Sequence, residues 1–272
     1  LYFGDDQPEF VVFYNARNIR RKCTSDLILG YAQFCDKIGK EKAKKCALLL
    51  HTQKADENGT DLPAVIELFC DPEYQRVVFS EHRYSPHQMC HLYNCADVVT
   101  LTSSNEGWGL SLTEGMMTGK MIIGTVTGGM QDQMRFEDEN GDWLNLTKDF
   151  PSNHFGTYKK HGEWARPLFP TNMSIVGSIP TPYIFDDRAD FRDIANAIEE
   201  VYNLGPEERE RRGQKAREWV TSEESMQSAR MMSKNIIDGV EETFAKWKPR
   251  KKHELIKVQK VARKKATHPL VY

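Results

Sequence analysis

No stretch of this 272-residue sequence approaches the roughly 20 consecutive apolar residues that a membrane-spanning helix needs. A basic, apolar, small-residue signal pattern is also lacking at the N-terminus, so the expected compartment is cytoplasmic. Cysteine is sparse: Cys23, Cys35, Cys46, Cys70, Cys90 and Cys95 are scattered singly, unlike the dense, paired usage of a disulfide scaffold. They are expected to be reduced and mostly buried. No C-x-x-C pair accompanies Cys90 and His91, although His82 and His87 lie near them, and no metal site is expected. Nor is there an excess of one charge, the formal net charge being −2. Acidic residues gather at 137–142 and basic ones from Lys246 to Lys265. That basic tail reads either as a solvated extension or as a contact for nucleic acid or an anionic membrane. Sequons at Asn58, Asn145 and Asn172 mean little without a secretory signal.

What is present is a globular composition, 39% hydrophobic and 28% charged, long enough for one large or two small α/β domains with a sizeable core. Phe10 to Tyr14 is a short aromatic and β-branched run that reads as a fully buried strand. Thr24-Ser-Asp then caps a helix whose apolar residues, from Leu27 to Ile38, recur at helical spacing until Gly39. Strand and helix go on alternating. Cys46 to Leu50, Val77 to Phe79, Val98 to Leu101 and Met121 to Gly124 read as strands; Leu62 to Phe69, Pro86 to Asn94 and a segment ending at Met117 read as helices. The fold class this implies is α/β, a Rossmann-like parallel sheet with helices on both faces. From Gly128 to Asp187 proline-punctuated residues read as a long insertion over the sheet edge. Helices resume at Phe191 and at Pro206, and a third is expected from Ser222 to about Lys246.

Ligands of open parallel sheets sit at the carboxyl ends of the strands, where two segments carry chemistry. One is Asn15-Ala-Arg-Asn-Ile-Arg-Arg-Lys22. Its arginines offer a fixed fork of donors for phosphate oxygens and its lysine a mobile point charge. A solvated basic loop is the plainer reading of the same residues. The other is Asn105-Glu-Gly-Trp-Gly-Leu-Ser-Leu-Thr-Glu114. Its glycines allow close backbone approach, and the helix that starts there aims unsatisfied N–H groups at an anion such as a diphosphate. Glu106 before the helix and Glu114 within it can both face the crevice and accept hydrogen bonds from sugar hydroxyls. Alternatively Glu106 caps the helix and Glu114 is a surface residue.

Ser104 to Gly124, followed by Thr127-Gly-Gly-Met-Gln-Asp132, resembles the donor-site signature of glycosyltransferase family 4. That signature has two glutamates with seven residues between them, a Gly-aromatic-Gly, a later Gly-x-Pro-Val-Ile strand and Gly-Gly-x-x-Glu. Arg17 and Lys22 resemble the family's diphosphate-binding pair, and Tyr93-Asn-Cys-Ala-Asp-Val98 its Tyr-x-x-Ala-Asp-Val segment. The resemblance is close over residues 10–132 and loose over 191–220. Ala16, Cys23, Thr52, Met121 and Asp132 stand where the family usually has glycine, glycine, glycine, proline and glutamate.

The resemblance implies the C-terminal, donor-binding half of a two-lobed GT-B enzyme. Residues 1–220 would be the nucleotide-sugar-binding domain, with an insertion at about 133–187, and 221–272 a C-terminal helix and basic tail. Glu106 would orient the sugar, Glu114 would hold the nucleotide ribose, and Gly107, Trp108, Gly109 and Leu110 would line sugar and phosphate. Arg83 or Tyr84 would border the base. A sugar would pass from a UDP- or GDP-type donor to an unspecified acceptor with retention, Arg17 and Lys22 stabilising the departing diphosphate, with no cofactor or metal required. Because the sequence starts almost at the first strand of the second lobe, an N-terminal lobe is an expected partner in cis or trans. The competing reading is a non-catalytic nucleotide-sugar-binding module on the same fold.

Overall fold

The computed structural model describes residues 2–250 except 145, 146, 148 and 178. The basic tail beyond residue 250 and the sequon at Asn145 lie outside the described residues. Residues divide into two compact units, Leu1–Ala229 and Arg230–Tyr272.

The first unit alternates as its sequence dictates: β1 (Phe10–Asn15), α1 (Thr24–Ile38), α2 (Lys40–Ala43), β2 (Cys46–His51), α3 (Leu62–Phe69), β3 (Val77–Ser80), α4 (Pro86–Asn94), β4 (Val98–Leu101), α5 (Leu110–Met117), β5 (Met121–Thr125) and α6 (Met130–Met134). It continues with β6 (Ala165–Leu168), β7 (Asn172–Val176), β8 (Ile184–Arg188), α7 (Phe191–Asn203) and α8 (Gly205–Thr221). Strands β1 to β6 form one parallel sheet in the order β3-β2-β1-β4-β5-β6. Such a doubly wound order reverses between β1 and β4, and that switch point is where a crevice opens. Strands β1, β2, β4 and β5 are buried almost end to end, because a parallel sheet is covered on both faces and leaves no polar side. Helix α1 packs on α3 and α7, and α5 on α8.

Helix starts follow local chemistry. The Asp61 side chain accepts from the Ala64 N–H at the head of α3, and Ser85 with Gln88 forms a capping box on α4, each satisfying donors the helix itself leaves unpaired. Within the segment expected as an insertion, Ala165–Leu168 supplies the sheet's sixth strand, and β7 pairs antiparallel with β8 as a separate hairpin.

The second unit holds most of α9 (Ala229–Lys246). The helix expected from Ser222 thus begins seven residues later, after the Ser222 hydroxyl accepts from the Ser225 N–H and Met226 takes a left-handed φ of 55°, a conformation no helix continues through. On α9, Ile236, Ile237 and Phe244 are exposed. Among the described residues no helix is long and apolar enough to cross a membrane.

Candidate functional site

At the switch point, a cavity of about 410 Å³ is lined by Asn15, Ala16 and Lys22 from the β1 side and by Leu101, Glu106, Trp108, Gly109, Leu110, Ser111 and Glu114 from the β4–α5 side. The two signature glutamates therefore open on one space. Gly109 has φ 90°, and this left-handed residue turns the loop into α5 so that the first amides of the helix, which lack intrahelical acceptors, border the cavity. The turn is braced from below. Trp108 Nε1 donates to Thr113 Oγ1 at 3.0 Å, while buried Gln133 donates through Nε2 to the Gly109 carbonyl at 3.0 Å and to Thr113 Oγ1 at 2.7 Å.

Glu106 is nearly buried, 8% exposed, and two cations meet it: Lys22 Nζ pairs with Oε1, and Arg21 Nη1 lies 2.8 Å from the same oxygen. Burial pushes the Glu106 carboxyl up, but hydrogen bonding to Lys22 and the charges of Lys22 and Arg21 outweigh it and hold the group below the ordinary carboxylate range. Lys22 is pushed down, chiefly by burial; Glu106 opposes that shift and Arg21 adds to it. Both directions are consistent, because Glu106 faces two cations whereas Lys22 faces one anion and one cation. Tyr93 donates its hydroxyl to Glu114 Oε2 and accepts from Asn15 Nδ2 at 2.9 Å, so Glu114, although exposed, is held from behind. Burial, foremost, and the Glu114 carboxylate raise the Tyr93 pKa and keep that donor protonated.

Of the remaining predicted site residues, Arg17, Arg83 and Tyr84 lie apart from this cavity. Arg17 is solvent-exposed and grips Asp56 through Nε at 2.8 Å and Nη2 at 3.3 Å. Arg83 and Tyr84 follow β3; Arg83 is exposed, and the Tyr84 hydroxyl meets that of Tyr2 with the His51 ring 5.6 Å away. Gly107 is exposed on the loop beside the cavity. Sequence reasoning missed Arg21, Tyr93, Gln133 and Asp187 as supports. Asp187, at the end of β8, donates its N–H to the Ser104 carbonyl at 2.7 Å and accepts from Thr127 Oγ1 at 2.8 Å and Asn153 Nδ2 at 3.1 Å. Asn105 Nδ2 also reaches the Phe185 carbonyl at 3.0 Å, so the β7–β8 hairpin supports the loop that carries Glu106. Only the basic cluster before Lys22 and the Tyr-x-x-Ala-Asp segment gave any local signal for these residues.

Three of the cysteines, Cys35, Cys46 and Cys70, are buried, Cys23 is half-buried, and Cys90 and Cys95 are exposed. His87 and His91, spaced H-x-x-x-H, stand one turn apart on α4 with ring centroids 4.5 Å apart, a pairing overlooked in the sequence. Among the described residues no group of three or more His, Cys, Asp or Glu is arranged to hold a metal ion.

Residues 73–144, which carry the loop and both glutamates, match the family model described as glycosyl transferases group 1. No curated protein matches the chain. Among solved structures, the sucrose-phosphate synthase of Thermosynechococcus elongatus is similar at TM-score 0.59 and 19% identity, over 88% of this chain and 46% of that one. HepE from Anabaena, solved in complex with UDP and glucose, is similar at TM-score 0.56 and 16% identity, over 89% and 49%. The C-terminal domain of a glycosyl transferase group 1 family protein from Francisella tularensis matches at TM-score 0.52 and 15% identity, over 79% of this chain and 86% of that domain. The chain spans about half the length of the first two, and its fold is that of the C-terminal domain of GT-B glycosyltransferases.

Proposed function

We propose that this chain binds a nucleoside diphosphate sugar and forms the donor half of a retaining glycosyltransferase of family 4. The observation that carries the reading is the convergence of Lys22 and Glu106 at the mouth of a cavity bordered by the α5 N-terminus and Glu114. A diphosphate fits that amide-lined end, Glu106 accepts from sugar hydroxyls, and Glu114, held by Tyr93, accepts from the ribose. Lys22 exchanges Glu106 for the diphosphate. Arg17 joins it by leaving Asp56, exchanging that ion pair for a charge-assisted, forked contact with phosphate.

In the transfer itself, the bond from the anomeric carbon to the phosphate oxygen breaks while one to the acceptor oxygen forms on the same face. The acceptor proton passes to the departing phosphate oxygen. Lys22 and Arg17 stabilise charge growing on that oxygen, and Glu106 fixes the ring, so the rate gain comes from positioning and electrostatics. A closely spaced hydrolase carboxylate pair would serve a different chemistry; Glu114, bound to Tyr93 on the helix, is assigned to the nucleotide. The acceptor lobe is an expected partner in cis or trans, and the second reading is a non-catalytic nucleotide-sugar-binding module on the same fold.

The test is to incubate the full chain with UDP-, GDP- and ADP-sugars, with and without acceptor mixtures, and measure transfer or slow release of sugar. Turnover abolished by Glu106→Ala supports the enzyme; binding without turnover supports the module; turnover unchanged in Glu106→Ala rejects the site.

A further inference from the structure

Arg21 has no part in the reading above, yet it is tied to the Glu106 loop more thoroughly than either Arg17 or Lys22. Its Nη1 lies 2.8 Å from Glu106 Oε1 and donates to the Asn105 carbonyl at 2.7 Å. Its own carbonyl accepts from the Ser104 N–H at 2.7 Å and from Ser104 Oγ at 3.2 Å. The guanidinium is 42% exposed, whereas the Lys22 ammonium stem is 12% exposed and faces the cavity. Both cations approach the same carboxylate oxygen, so one can leave without emptying the other's place.

We propose that Arg21 is a positioning residue that keeps Glu106 ionised and correctly aimed when Lys22 departs to the donor diphosphate. The proposal rests on the donor-site reading and adds a division of labour to it. A carboxylate as buried as Glu106 that loses its last counter-charge is costly. If Lys22 were its sole partner, Lys22 would have to stay, or Glu106 would take up a proton and lose acceptor capacity toward the sugar. Arg21 removes that conflict. Its Nη1 donates to the Asn105 carbonyl while standing 2.8 Å from the carboxylate, so the charge is anchored to the loop that carries Glu106.

A double-mutant cycle on the full chain tests this, with UDP, GDP and ADP as probes and dissociation constants read by calorimetry. Arg21→Gln should weaken the best-bound probe on the order of tenfold. The same substitution in a Glu106→Gln background, where no carboxylate needs a counter-charge, should cost less than about twofold. Arg21→Lys should recover most of the loss, and thermal melts of each variant separate a folding defect from a binding one. A penalty that persists undiminished in Glu106→Gln would mean that Arg21 touches phosphate itself and would overturn the proposal. Wild-type protein that binds none of the probes would overturn the donor reading along with it, a result distinct from binding with additive penalties.

Discussion

Gly128 presses so closely on Glu106 that a Cβ atom built on it would lie 2.0 Å from the Glu106 carbonyl oxygen. The next N–H, that of Gly129, donates to the same carbonyl at 3.2 Å. Gly128 also has φ 50°, so any side chain there meets both a steric block and the left-handed penalty. Gly128→Ala is expected to destabilise the first unit by at least about 2 kcal/mol and to displace Glu106. Urea denaturation and nucleotide titration of the variant check both effects; unchanged stability would mean that the turn is not held as described.

Arg17 and Asp56 give a second prediction. Asp56→Asn frees the guanidinium from its partner, so binding of a nucleoside diphosphate should tighten by about two- to threefold at low salt, and Arg17→Gln should weaken it on the order of tenfold. Titrations at low and high ionic strength measure this. If Arg17→Gln leaves the affinity unaltered, Arg17 has only a surface role.

Cys23 occupies a left-handed position, φ 51°, where the resembling family has glycine, and its N–H closes the Arg20–Lys22 turn on the Arg20 carbonyl at 3.1 Å. Relief of about 1–2 kcal/mol of backbone strain, less the extra freedom glycine has when unfolded, leaves Cys23→Gly more stable by up to about 1 kcal/mol. A lower melting temperature than wild type would contradict this.

His154 is buried among Phe136, Phe150, Tyr158 and Phe169, and its Nε2 has no hydrogen-bond partner among the described residues. Burial holds this imidazole below its ordinary value, and does the same to His161. The unfolded chain therefore binds protons near pH 6.5 that the native state refuses. Stability is complete above that pH and declines as the pH falls through it toward the depressed native values. Chemical denaturation at pH 7.5 and 5.5 should show a smaller acid loss in His154→Phe than in wild type; equal losses would remove His154 from the account.

Much of the sheet was legible because β1, β2, β4 and β5 are buried on both faces and so appear as unbroken apolar runs. Helices α3 and α4 could be read from Asp61, Ser85 and their prolines. Strand β6 could not: Ala165-Arg-Pro-Leu168 holds a charge and a residue without an N–H, tolerated because an edge strand pairs on one side only. The separation of Arg21 from Arg17 was equally hidden. A run of cations looks uniform, and only the short turn at Arg20–Lys22 decides that Arg21 and Lys22 meet Glu106 while Arg17 turns to an aspartate far along the chain. Asp187 gave no signal, since its partners Thr127 and Asn153 come from distant turns.

The proposed donor binding requires Lys22 to leave Glu106 and grip a diphosphate in the cavity at the head of α5. The most direct measurement is the melting temperature of the full chain against UDP, GDP, ADP and their sugar conjugates, for wild type and Lys22→Gln side by side. A ligand that binds only the native state raises its stability by mass action, so nucleotides of one base should raise the melting temperature of wild type and shift that of Lys22→Gln little or not at all. No shift with any nucleotide, or an equal shift in both proteins, would contradict it.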